Sequence, residues 1–449
     1  MQDNTVIDSV VKHGLCTGCA TCVAVCPRQC LHMTETPGGL LEVTIGTQQC
    51  HQCGTCLKVC GGFSLHPDAF HSDIDPFQGK CIKAYLVQAA DQELLANGQS
   101  GGAVTAMVGE FLRQQKVTGV LSTFMPKDGS LRPYSKIVRD PAELAASQGS
   151  KYMPAPWGHG LSDVRQENER ICVIGLPCQF HSLFNAQKTV RKSWSETIVL
   201  KIGLVCERIL SFSFLDYIFK EYAINVNQCQ DFFFKRKREY GWPGQGCVRF
   251  KDGTKQFIPN RARLQNKDAF TPFFCRLCFD KMNFTSDIVC ADPWGINHHP
   301  AGHSLVIAHT EKGLDAIQEA IQSGVLMVVD EIHRKRVFTC HAVEDRRKYW
   351  TVFTELVKNN LEFVPVFPLD TRWKSRQSSH FSKPLLKLHK DRGRFLQQVE
   401  SREDVLNSVK EYNLDQSELI NQRKRKLLLH PLFLLEAIAA KIKRTMFQR

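Results

Sequence analysis

Two runs of cysteines constrain this chain more than any other feature. The first reads Cys16-Thr-Gly-Cys19-Ala-Thr-Cys22-Val-Ala-Val-Cys26-Pro27, and the second Cys50-His-Gln-Cys53-Gly-Thr-Cys56-Leu-Lys-Val-Cys60. Both are C-x-x-C-x-x-C-x-x-x-C, the spacing that wraps a pair of 4Fe-4S clusters. Three close thiolates hold three irons of one cubane, and the fourth crosses to the other. Cys16, Cys19, Cys22 and Cys60 are thereby assigned to one cluster, and Cys50, Cys53, Cys56 and Cys26 to its twin. Eight thiolates would also suffice for two zinc ions, but zinc sites usually come as C-x-x-C pairs across a long gap. The three-then-one grouping and Pro27 favour iron, although Gly61 stands where the second run would have its proline. Cys30 is surplus to the ligand count and reads as a packing residue.

At 449 residues the chain has room for two to four domains. Nineteen cysteines in a small secreted chain would suggest disulfides, but cubane thiolates need a reducing compartment. The opening Met-Gln-Asp-Asn-Thr-Val has neither the basic nor the apolar part of a signal peptide. No apolar run reaches the roughly 18 residues that span a bilayer. These features predict a cytoplasmic protein. The formal charge is +13, and residues 371–449 hold 18 Lys+Arg against 8 Asp+Glu, so the basic character belongs to the tail. That tail lacks the interleaved aromatics that stack bases, so nucleic acid is not an expected partner.

Past residue 75 the pattern becomes ordinary α/β. Residues 84–89 read as a strand, and 103–115 as a helix with apolar positions 104, 107, 108, 111 and 112. Between them lies Ser100-Gly101-Gly102. A Ser-Gly-Gly that opens a helix leaves backbone N–H groups free to meet an anion, although a plain N-cap looks the same. Further strands are expected at 117–123, 171–175 and 198–205. In open α/β sheets, ligand sites gather at the carboxyl ends of strands. Cys178 and Cys206 lie at two such ends, and Cys275-Arg-Leu-Cys278 follows in a loop. These four thiols can hold a third cubane, or be two core cysteines and half of a zinc site; spacing alone leaves both open. Cys172 and Cys290 read as core, His298, His299 and His303 as a solvated loop, and Lys235-Arg-Lys-Arg238 as the exposed end of a strand.

Assembled in order, these features resemble the family formed by the beta subunits of coenzyme F420 hydrogenases and dehydrogenases. The matching stretches are the double cysteine run, Gln99-Ser-Gly-Gly-Ala-Val-Thr105, Ser150-Lys151-Tyr152, Gly175-Leu-Pro177-Cys178-Gln179 and Gly203-Leu-Val-Cys206. Gly241-Trp-Pro-Gly244 follows, then Cys275-Arg-Leu-Cys278 with Ala291-Asp-Pro-Trp-Gly295 behind it. The resemblance implies an iron–sulfur flavoprotein oxidoreductase. It implies FAD contacts from Ser100, Gly101, Gly102, Thr105, Ser150, Lys151, Tyr152, Gly175, Pro177 and Gln179. It further implies a third 4Fe-4S cluster beside the flavin, on Cys178, Cys206, Cys275 and Cys278. The expected fold is an α+β ferredoxin-like two-cluster domain (residues 1–75), an α/β flavin-binding body and a helical basic tail (341–449). The body divides into the family's N-terminal domain (76–165) and its C-terminal FAD and cluster domain (166–340). Three departures put the substrate in question: Leu176 where the family often has Thr, Glu207-Arg208 after Cys206, and Cys290 in place of a smaller or β-branched residue. The family also includes a plant chlorophyll-derivative reductase and members near surface-polysaccharide genes, so the resemblance does not fix a deazaflavin.

A flavin converts between hydride transfer and single electrons. The expected partners are therefore a small-molecule hydride donor or acceptor at FAD and a redox partner protein or ferredoxin at the outer clusters. A non-catalytic electron-transfer subunit is the rival reading. No catalytic acid or base can be named from the sequence. The chain ends by pairing Arg423-Lys-Arg-Lys426 with an apolar stretch, 427–440, in which Leu432, Leu435, Ile438 and Ala439 share one helix face. Too short to span a bilayer, it suits peripheral membrane contact at anionic headgroups, or docking on the protein's own body or on a partner.

Overall fold

The computed structural model describes residues 6–46, 50–71, 73–164, 168–358, 374 and 383–428. The first two strands, β1 (Leu31–Glu35) and β2 (Leu41–Ile45), form an antiparallel hairpin with Leu31 opposite Ile45. Two short helices accompany it, Thr21–Val25 and Thr55–Lys58, each carrying the third cysteine of its run. Each helix is entered through a left-handed residue at the same place in the repeat, Ala20 (φ 62°) and Gly54 (φ 70°). The sequence repeat is thus a backbone repeat, and this unit is the expected ferredoxin-like α+β domain.

Strands β3 (Lys83–Ala89), β4 (Gly119–Phe124), β5 (Tyr134–Val138), β6 (Ile171–Gly175) and β7 (Ile198–Leu204) come next. They lead into β8 (Cys229–Arg236), β9 (Gln245–Phe250) and β10 (Lys255–Ile258), and then β11 (Ile288–Ala291), β12 (Ser304–Ala308) and β13 (Leu326–Glu331). Eight of them make one mixed sheet in the order β13-β3-β12-β11-β7-β6-β4-β5. Neighbours β4, β6, β7 and β11 run parallel, and the flanking pairs are antiparallel. Central strands covered on both faces read as near-continuous apolar runs; β12 is buried along its whole length. Helices Ala103–Arg113 and Glu311–Gln322 cover one face, through Met107, Phe111 and Ile317. The other face takes helix Pro177–Lys188 and the ferredoxin unit, whose Ile7, Val25 and Val59 join one core with Leu121, Val173 and Phe180. A cut at residue 165 falls inside this sheet, which draws strands from both sides of it.

Strands β8, β9 and β10 form a separate antiparallel sheet. Its Phe232 and Phe234 pack with helix Ser213–Glu221 and with Leu396, Val405 and Val409 of the helices Lys383–Gln398 and Arg402–Leu428. The C-terminal helices are therefore built into the core as far as Tyr412, which is 4% exposed. Residues 429–449, with most of the stretch expected to meet a membrane, lie outside the described residues. No helix among the described residues is long and apolar enough to cross a membrane.

Candidate functional site

Thirteen thiols gather around three small voids, twelve of them in the quartets that follow. Cys16, Cys19, Cys22 and Cys60 line one of about 20 Å³. Cys26, Cys50, Cys53 and Cys56 line another of about 40 Å³. Cys178, Cys206, Cys275 and Cys278 line the third, of about 30 Å³. Each quartet is one of the groupings drawn from spacing or resemblance. Among the described residues, no three Cys, His, Asp or Glu side chains converge closely enough to hold a single metal ion; the thiols ring voids instead, as a multi-iron cubane requires. All nineteen cysteines are free thiols. Burial pushes Cys60 and Cys278 up to about 12 and Cys178 well above its ordinary value. Thiolates at such sites are costly until a cation compensates them, which suits this donor set to iron. Cys30, buried in the core as its packing role requires, also borders the second void, with its Sγ 3.6 Å from that of Cys26.

Helix Pro177–Lys188 carries Cys178 in its first turn and grips the ferredoxin unit with the next two. Ser182 Oγ accepts the Gly61 N–H at 3.0 Å and lies 3.4 Å from Cys19 Sγ. The Asn185 side chain accepts from the His66 N–H and donates to the Ser64 carbonyl, both at 2.8 Å. A Cβ at Gly61 would stand 2.8 Å from His181 Cβ and from Ser182 N. A proline there would also lack the N–H that Ser182 accepts. That is the physical reason for the missing proline.

A cavity of about 480 Å³ opens at the carboxyl ends of the parallel strands, lined by Ser122 (β4), Ile174 (β6), Leu204 (β7) and Cys290 (β11). Six of the residues expected at a flavin line it: Ser100, Gly102, Thr105, Ser150, Lys151 and Tyr152. The other four do not. Gly101 turns into the sheet, where its N–H meets Ser304 Oγ at 2.9 Å and a Cβ would stand 2.6 Å from the Val87 carbonyl. Gly175 faces the Phe180 ring, and Pro177 and Gln179 line the third thiol void. Cys172 and Cys290 are both core, 0% and 5% exposed, and Cys290 also forms part of the cavity wall.

Two lysines expected at an exposed strand end are buried instead: Lys235 is 6% exposed and Lys237 4%. Phe234 and Lys235 are both buried where the pairing of β8 with β9 shifts register, and Lys237 lies just past the end of the strand. Arg236 and Arg238 point outward to Glu239 and Glu93, and the lysines point in. Lys235 Nζ meets Asp292 at 2.8 Å and lies over the Tyr152 and Trp294 rings at the cavity. Lys237 donates to the carbonyls of Ser100 and Ala301. His303 is also buried, against His299, rather than solvated. Lys151 donates to the Ser147 and Gln148 carbonyls, and burial pulls its pKa down to about 7.

Several polar atoms at this cavity have no partner among the described residues: both amide atoms of Gln99, Gln148 Oε1 and His341 Nε2. The helix Ala103–Arg113 begins at left-handed Gly102 (φ 73°) with no side-chain cap, so its first N–H groups are also available. Cations, open donors and apolar walls suit an anionic ligand with a flat apolar part. The walls are shared. Leu176, Cys206, Glu207, Arg208 and Ile209 line both the cavity and the third thiol void, and Thr17 lines both that void and the first. The spatial order is therefore cavity, third quartet, first quartet, second quartet.

Comparison with known proteins accords with this arrangement. The description "4Fe-4S dicluster domain" matches residues 15–61. The description "Coenzyme F420 hydrogenase/dehydrogenase, beta subunit" matches twice, its N-terminal part over residues 84–161 and its C-terminal part over residues 168–333. A coenzyme F420-dependent sulfite reductase of Methanocaldococcus jannaschii is 24% identical over 77% of this chain, which spans about half of that protein, 54%. One subunit of the F420H2 dehydrogenase of Methanosarcina mazei is 25% identical, covering 68% of this chain and 82% of the relative. Among solved structures, a chain of the F420-reducing NiFe hydrogenase complex from Methanosarcina barkeri shares the fold, with a TM-score of 0.51 and 17% identity over 66% of this chain and 99% of that one. With its dicluster domain placed ahead of the two matched segments, the chain belongs to the family of coenzyme F420 hydrogenase/dehydrogenase beta subunits.

Proposed function

We propose that the chain is a flavin-dependent oxidoreductase that links a two-electron substrate to single-electron carriers. FAD occupies the large cavity, a third 4Fe-4S cluster sits on Cys178, Cys206, Cys275 and Cys278, and the ferredoxin pair faces a redox partner protein. The observation that carries this reading is the shared wall at Cys206, which joins the cavity to the third thiol quartet and through it to the ferredoxin unit. Bound FAD would supply the exchange between hydride and single electrons. The open N–H groups of residues 103–105, with Lys151 beside them, suit its pyrophosphate. Ile174, Leu204 and Val205 suit its ring system, and Gln99 and Gln148 have hydrogen bonds left to offer. A pure electron carrier has no use for a cavity of about 480 Å³, within the ordinary range of small-molecule sites, and this favours an enzyme over a mere carrier. The substrate is a small hydride donor or acceptor, with the coenzyme named for the relatives as the first candidate. Free thiols throughout accord with work in the reducing cytoplasm.

Thr105 lines the cavity from the first turn of its helix, so Thr105→Trp would put a ring where the cofactor belongs. Anaerobically purified Thr105→Trp should keep its iron and lose most of its flavin, read as the FAD-to-iron ratio. Full flavin in that variant would remove FAD from this cavity. Gly101→Val is not an equivalent probe, because its added atoms meet the sheet and not the cavity.

Lys151 gives the reading a pH signature. Burial disfavours its charge and lowers its pKa from an ordinary 10.5 to about 7. Above that pH the ammonium is neutral, and a bound pyrophosphate restores its proton. FAD binding then takes up a proton, so affinity should fall by up to about tenfold per unit as pH rises above 7. Flavin fluorescence titrations across this range should show the slope, and Lys151→Met should flatten it. A wild-type affinity independent of pH would remove Lys151 from the phosphate site.

A further inference from the structure

A second cavity of about 260 Å³ lies behind the wall made by Glu207 and Arg208. Those two residues, with Lys267 and Lys281, line both cavities. The remaining wall includes Arg276, Arg346, Tyr349 and His389, and the last three lie beyond the matched family segment, which ends at residue 333. Five cations line this space: Arg208, Lys267, Arg276, Lys281 and Arg346. Three carboxylates stand against them, and two are already committed. Glu207 pairs with Lys281 at 2.7 Å and Arg208 at 3.2 Å, and Asp268 pairs with Arg208. The third, Asp345, sits exposed.

Arg276 and Arg346 are the residues that call for a ligand. They are 3% and 9% exposed, and among the described residues neither has a carboxylate at ion-pair distance. Arg276 donates to the Asp268 carbonyl at 2.6 Å and Arg346 to the Glu207 carbonyl. Among the described residues, the Nε atoms of Arg208, Arg276 and Arg346 are buried without an acceptor. Buried charge is normally paired, because leaving one uncompensated is strongly unfavourable. Lys267 feels the surplus as well, lowered first by burial and then by the Arg208 charge. Part of their charge is met at a distance: Arg346 acts electrostatically on Glu207, Cys206 and Cys278, and both arginines act on Cys275, which also lines this cavity. At about 30 Å³ per water the space holds several waters or one tetrahedral anion with its hydration.

We propose that this cavity is a binding site for a small multiply charged oxyanion, a phosphate or sulfate or a small molecule carrying such a group, held by Arg276, Arg346 and Lys267. Planar guanidinium forks match two oxygens of such an anion at once. The site shares a wall with the proposed FAD cavity, Lys267 included, but Arg276 and Arg346 do not line that cavity, so their variants test the anion site apart from FAD. The test uses the full-length holoprotein, freed of phosphate and sulfate and titrated calorimetrically at low salt with inorganic phosphate and with sulfate. Saturable binding of one anion per chain is expected. Arg346→Gln and Arg276→Gln should each weaken it by at least about tenfold, as loss of a charge-assisted hydrogen bond does, with iron and flavin contents unchanged. No saturable binding to the unmutated protein at millimolar anion, or undiminished binding in Arg346→Gln, would overturn the proposal. Should the variants fail to fold, the unmutated protein still decides: its melting temperature must rise with phosphate concentration at constant ionic strength, and an unmoved melting temperature rejects the site.

Discussion

Cys178→Ala should remove about four of roughly twelve irons, the total for three 4Fe-4S clusters, and leave the ferredoxin pair loaded. Cys178 is the second residue of helix Pro177–Lys188. Alanine is the best helix former, so the change costs the fold little. What it removes is one of the four thiols facing the third void, at the position nearest the ferredoxin unit: Cys19 acts on the Cys178 thiol electrostatically, and Ser182, one turn on, touches Cys19 Sγ. Because the third quartet stands between the cavity and the first ferredoxin quartet, its loss should also disconnect the two. Flavin in the variant should still be reduced by a hydride donor, yet pass electrons on to an external one-electron acceptor far more slowly than in the parent. Iron and flavin analysis of anaerobic protein reads the first effect, and stopped-flow spectroscopy the second. If fully loaded unmutated protein holds only about eight irons, the third cluster does not exist and these four thiols are core.

The ferredoxin ligands were legible because their signal is local. Eight thiols within 45 residues, from Cys16 to Cys60, state their geometry by spacing alone. The quartet of Cys178, Cys206, Cys275 and Cys278 spans 101 residues, and only the sheet brings it together. Resemblance grouped those four; spacing left them open. Other features were hidden because they depend on which way a side chain turns. Lys235 and Lys237 looked like a solvated basic run, and period-two reading would not have helped, because Phe232, Phe234 and Lys235 are all buried where the β8 pairing shifts register. Gly101 and Gly102 are adjacent in a promising loop, yet one meets the sheet and the other the cavity. The tail misled in a different way. Its charge and loosened pattern gave only a helical basic tail, because the residues it covers lie far away in sequence.

Ending the chain at Asp370 should therefore yield protein that does not fold, not a soluble core lacking an appendage. Leu386, Leu396, Val405 and Val409 are each 0% exposed, and Leu385, Val399 and Tyr412 nearly as buried. At about 1.5–3 kcal/mol for each large apolar side chain, these seven contribute on the order of 10–20 kcal/mol. That is comparable to the whole net stability of a domain, roughly 5–15 kcal/mol. Polar ties would go too. Arg392 donates to the Ala269 carbonyl at 2.9 Å, and Arg402 bridges to Glu35 of the ferredoxin hairpin and to Asp216. The contact is close enough to dictate glycines: a Cβ at Gly393 would lie 3.1 Å from Phe273 Cα, and one at Gly38 would overlap the Leu396 carbonyl. Leu396→Ala tests the same packing in a protein that still folds, and should cost about 2–5 kcal/mol. Denaturant unfolding measures it. A chain ending at Asp370 that is soluble, fully loaded with iron and melts cooperatively near the parent would show that these helices are dispensable. The same reasoning decides how membrane contact through residues 429–449 must be tested. Flotation with anionic vesicles has to compare the whole chain with one ending at Leu428, because a deletion reaching into the core would expose apolar surface that binds lipid for the wrong reason.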